Sequence, residues 1–95
     1  MGEFAEMLER EFGGLKTHKI YSTQLGNRSI EILEVEAKGS KLLVMFQDEP
    51  MKHDLRKWSL IITSAKNTRT IQGMDKVDTL KMRINENVRS ILEGM

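Results

Sequence analysis

Two histidines, fourteen carboxylates and no cysteine are the groups from which this 95-residue chain must build any chemistry. His53-Asp54, with Asp48 and Glu49 close by, is the pattern most like a metal site. Such a site gathers several His and carboxylate ligands from separate elements, and the second histidine, His18, falls on an expected strand. The pattern therefore reads as an ordinary polar loop. No serine stands in a Gly-x-Ser-x-Gly elbow. Neither a Walker loop nor Gly-x-Gly-x-x-Gly is present, so a glycine cradle for phosphate is not expected. Glu34 and Glu36 share one strand face while Glu31 points the other way, which describes a solvated face better than a paired acid and base. Without cysteine there is no disulfide, thiol nucleophile or cysteine-based metal site. The expectation is no catalytic residue, no metal and no cofactor.

Binding chemistry has more to work with. Net charge is +1, but residues 1–50 carry six basic and nine acidic side chains, and residues 51–95 carry nine basic and five acidic. Lys16 to Arg28 and Lys52 to Arg69 are locally basic, and they contain Tyr21 and Trp58. Cations contact phosphates and exposed aromatics stack on unpaired bases. If the strands that carry them are neighbours, Lys16, Lys19, Tyr21, Arg56, Lys57 and Arg69 make one nucleic-acid surface. Trp58 alternates with Leu60 and Ile62, however, which is the spacing of a core position.

Ninety-five residues suffice for one domain spanning 1–95, and 39% apolar with 31% charged residues argues against disorder. No apolar run approaches the ~18 residues of a membrane span. The first residues are acidic where a signal peptide would be basic. Glu6 stands where a myristoylation motif on Gly2 wants Ser or Thr. The Asn27-Arg28-Ser29 sequon has no meaning without secretion. These features predict a cytoplasmic protein.

The elements that must position these groups are legible in periodicity. Phe4, Met7, Leu8 and Phe12 share one face of a helix from Glu3 to Phe12, stopped by Gly13-Gly14. Val77, Leu80, Ile84, Val88, Ile91, Leu92 and Met95 share one face of a second helix, with Asp75 as its cap and Asp78 reinforcing the start. Between them, Thr17–Thr23, Ser29–Ala37, Leu42–Gln47, Trp58–Ser64 and Arg69–Gln72 read as strands, separated by turns at Gly26-Asn27, Lys38–Lys41 and Lys66-Asn67. Ser29–Ala37 changes phase between Ile32 and Leu33, which requires either a β-bulge or a strand with apolar residues on both faces. Residues 48–57 fit one or two helical turns or a long loop.

The order α-β-β-β-(short helix or loop)-β-β-α predicts an α+β two-layer sandwich: an antiparallel meander with both terminal helices on one sheet face. That element order is similar to the TATA-binding-protein-like and signal-recognition Alu-binding-protein-like folds, a likeness of layout that carries no function. Two helices cover one face of a sheet whose middle strands are apolar on both. The uncovered face is expected to hold Leu33, Val35, Leu43 and Met45 as a contiguous patch, and exposed apolar patches mark interaction sites. The chain thus reads as a non-enzymatic binding domain for a protein or for itself as a homodimer, with nucleic-acid binding as the alternative.

Overall fold

The computed structural model describes residues 3–13, 15–37 and 39–94; expectations that rest on Gly2, Gly14, Lys38 or Met95 fall outside them. Helix α1 (Glu3–Glu11) leads into five strands, β1 (Lys16–Leu25), β2 (Arg28–Ala37), β3 (Ser40–Pro50), β4 (Leu55–Thr63) and β5 (Thr68–Lys76), and helix α2 (Val77–Glu93) follows. The strands form one sheet in chain order, antiparallel throughout. This is the expected α+β meander.

Short turns set the order. Leu25 pairs with Arg28 across Gly26-Asn27, and Gly26 adopts φ 62°, the left-handed region open to glycine. Ala37 pairs with Ser40, which holds β2 and β3 in one unbroken register. Between Thr63 and Thr68, the Ser64 hydroxyl accepts the Lys66 and Asn67 N–H groups at 3.3 and 3.1 Å and closes the turn.

Cross-strand neighbours share a face, so the register assigns every strand residue to one of two faces. Leu33, Val35, Leu42, Val44, Trp58, Leu60 and Ile62 lie on one side and form the core with Phe4 and Leu8 of α1 and Leu80, Ile84 and Val88 of α2. Phe4 stacks on Phe46 with ring centroids 4.5 Å apart. Burying one such side chain stabilises by roughly 1.5–3 kcal/mol, and the five helical residues account for why both helices settle on the same face.

Of the two readings of the phase change in Ser29–Ala37, the strand with apolar residues on both faces holds: β2 is regular, with Ile30 and Ile32 on one face and Leu33, Val35 and Ala37 on the other. Three expectations need correction, and one bulge was not foreseen. The bulge lies in β1, where the register shifts between Lys19 and Tyr21 and leaves Ile20 as the extra residue. Residues 48–57 are mostly strand. β3 runs on to Pro50, a single 3-10 turn occupies Lys52–Asp54, and β4 begins at Leu55. Asp75 does not cap α2. It belongs to β5, the cap position is Lys76, and no side chain bonds there. Helix α1 ends at Glu11 rather than Phe12, although the Phe12 N–H still donates to the Leu8 carbonyl at 2.9 Å.

Candidate interaction surface

The helices leave the other face of the sheet open. Its middle row reads Tyr21, Ile32, Met45, Ile61 and Thr70 from β1 to β5. Beside it on one side lie His18, Glu34, Leu43, Thr63 and Thr68, and on the other Thr23, Ile30, Gln47, Ser59 and Gln72. Tyr21 and Leu43 are about half exposed, at 53% and 46%. Among the described residues no element packs over this face.

Charge sits mainly at its two ends. At one, the Lys41 ammonium lies 3.7 Å from the Glu34 carboxylate and 3.9 Å from that of Glu36. At the other, Arg28 Nε lies 3.5 Å from Glu49 Oε1, with Lys57 across the ladder from Glu49. A depression of about 520 Å3 at this second end is lined by polar groups such as Arg28, Gln47, Lys57 and Gln72.

Half of the expected patch lies here. Leu43 and Met45 are on the open face, but Leu33 and Val35 are 0% and 2% exposed beneath the helices. The pairing of Ala37 with Ser40 sets Leu33 opposite Val44 and Ile32 opposite Met45, so Ile30 and Ile32 take the places assigned to Leu33 and Val35. The six residues read as a nucleic-acid surface are likewise divided. Lys16, Tyr21 and Lys57 are on the open face, while Lys19, Arg56 and Arg69 are register neighbours of helix-face residues Leu33, Asp75 and Ile62. Arg56 is also engaged, its Nη1 donating to Asp48 Oδ2 at 2.8 Å.

The histidines do not converge. His18 is on β1 across from Glu34, and His53 is exposed in the 3-10 turn. His53 and Asp54 take φ of 62° and 60°, a left-handed conformation costing about 1–2 kcal/mol for such residues. Their juxtaposition is thus a feature of a tight corner. Among the described residues no three His, Asp or Glu side chains stand close enough to hold a metal ion.

One polar cluster escaped the sequence reading. Trp58 Nε1 and Arg83 Nη1 both donate to Asp75 Oδ2 at 2.8 Å, and the Arg83 guanidinium lies 5.1 Å from the Trp58 ring centroid. The indole N–H first, and Arg83 after it, hold the Asp75 carboxyl below the usual carboxylate range. Gly73 is the register partner of Trp58. A side chain there would overlap Arg83 Nη1, so glycine is what admits the guanidinium. The cluster ties α2 to β4 and β5. It gives Asp75, one residue ahead of the cap position, another purpose.

Comparison with known protein families, with curated proteins and with solved structures finds no match to this chain. No helix among the described residues is long and apolar enough to cross a membrane.

Proposed function

We propose that this chain is a binding domain that acts without catalysis, through the open face of its sheet, on a protein surface that is apolar at its centre. The supporting observation is the central row of that face, where Tyr21, Ile32, Met45 and Ile61 adjoin Leu43 and Ile30 with nothing among the described residues packed over them. Exposed apolar area of this kind, rimmed by polar groups, is the usual mark of a protein contact. Its ends carry cations and carboxylates side by side, so a partner need bring no large net charge. A nucleic acid asks for the reverse, a surplus of unengaged cations on one surface, and the six basic-stretch residues are shared between two faces. The cysteine-free composition suits work in the cytoplasm.

Hydroxyl-radical labelling in clarified cell extract tests this reading. Tyr21 and Leu43 should be protected relative to dilute purified protein, while Met82, 59% exposed on α2, labels equally in both. Equal labelling of all three in extract and in dilute solution would remove the proposal.

A further inference from the structure

Granted that the open face binds protein, the geometry points to its occupant: a second copy of this chain, related by a two-fold axis that crosses the strands at the Met45 row. An isologous contact needs one surface complementary to itself, and this face is so arranged. Rotation about that axis sets Tyr21, Ile32, Met45 and Ile61 on their own counterparts, which makes an apolar centre. It also reverses the strands, and the charged ends then answer one another. On β2, Glu36 and Arg28 lie two rows to either side of Ile32. On β3, Lys41 and Glu49 lie two rows to either side of Met45. The rotation therefore brings Glu36 of each copy over Arg28 of the other, and Lys41 over Glu49.

An axis along β3 keeps the centre apolar but fails at the ends. It sets Lys41 on Lys41, Glu49 on Glu49 and Arg28 on Lys57. Like charges brought together in an interface cost several kcal/mol, and that decides between the axes. Edge pairing is opposed by the strands themselves. β1 carries the bulge at Ile20 and the cations Lys16 and Lys19, and β5 carries Arg69, Gly73 and Lys76, all features that discourage strand addition.

Size is adequate. Five strands ~4.8 Å apart and about nine residues of ~3.3 Å each cover about 700 Å2 per copy, close to the ~800 Å2 per partner of a stable interface. The dimer would be a four-layer α/β/β/α stack.

Charge reversal tests the pairing, because in an isologous dimer a swap within one chain restores both contacts. Light scattering of the purified protein should give twice the 11.0 kDa chain mass at tens of micromolar, an ordinary range for such a contact. K41E and E49K should each weaken association by roughly tenfold or more, and the K41E/E49K double variant should recover most of it. Thermal melts identify any variant that fails to fold, and adding E36R and R28E to the double variant also restores the contacts of Lys41 with Glu36 and of Arg28 with Glu49 within each chain. Met45→Cys should form an interchain disulfide under mild oxidation, whereas Leu43→Cys, which faces Gln47 of the other copy, should not. A fourfold reversal, K41E/E49K/E36R/R28E, as weak as the singles overturns the axis. Wild-type protein that stays monomeric at millimolar concentration overturns the second copy. If Tyr21 is nonetheless protected in extract, a different protein is the occupant; if it is labelled there too, the binding face falls with the dimer.

Discussion

Gly73 stands directly across the β4–β5 ladder from Trp58, and the space its missing side chain leaves is occupied by the guanidinium of Arg83. A glycine within an edge strand ordinarily weakens it. Here the close approach it permits joins helix, strand and indole around one carboxylate.

Gly73→Ala tests that relationship. The new methyl would overlap Arg83 Nη1, approach Asp75 Oδ2 to 2.9 Å and Trp58 Nε1 to 3.2 Å, so the Arg83 guanidinium must shift from its place on Asp75. The loss should be about 1–3 kcal/mol, as for other overpacked sites. Fluorescence of the single tryptophan should change with it. In an Arg83→Leu background Gly73→Ala should cost less, and strictly additive effects would mean that the two residues do not share the space.

The same cluster sets an acid limb. Asp75 titrates lower when folded than when unfolded, so its contribution is fully present above the unfolded value near 3.8 and is lost as pH falls through the lower folded value. Wild type should exceed Asp75→Asn in stability at pH 7, and the difference should shrink on acidification below about pH 4. Denaturant midpoints from pH 7 to 2 measure it, and a gap independent of pH would show that the carboxylate charge is not what matters.

Packing of α2 gives a paired test. Ile84 is 0% exposed in the core, while Met82 lies on the opposite side of the helix. Ile84→Ala should destabilise by about 2–5 kcal/mol and Met82→Ala by less than about 0.5 kcal/mol. Equal losses would contradict the face assigned to the helix.

How far the sequence could be read depended on whether local pattern or a distant neighbour decided the outcome. Alternation marked Leu33, Val35 and Ala37 as one set and Ile30 and Ile32 as another, and that division holds in β2. Both sets are apolar, so nothing in the pattern says which the helices cover. Joining Leu33 to Leu43 was a register error of one residue, enough to move a side chain to the opposite face. The turn at Ala37 and Ser40 settles the register, because it pairs Val35 with Leu42. Asp75 shows the other limit. An Asp just ahead of an amphipathic run is a sound cap signal, but Trp58 and Arg83 come from 17 and 8 residues away to claim it. The available signal was a glycine and an aspartate two apart on the strand facing a tryptophan. Basic stretches along the chain do not make one basic surface, because alternation in β1 and β4 divides their cations between opposite faces.

Because each strand pairs with its neighbour in sequence, the sheet can be assembled by closing one small loop after another. Contact order is low for a chain whose core is mostly β, and the entropy of closing each hairpin is recovered as soon as its ladder forms. Helix α2 depends on more. Its apolar stripe has no surface to dock on until β4 and β5 already stand side by side. The transition state for folding should therefore resemble the hairpin ladder with α2 still undocked, so substitutions at Val44 or Leu60 slow folding, whereas those at Ile84 or Val88 chiefly speed unfolding.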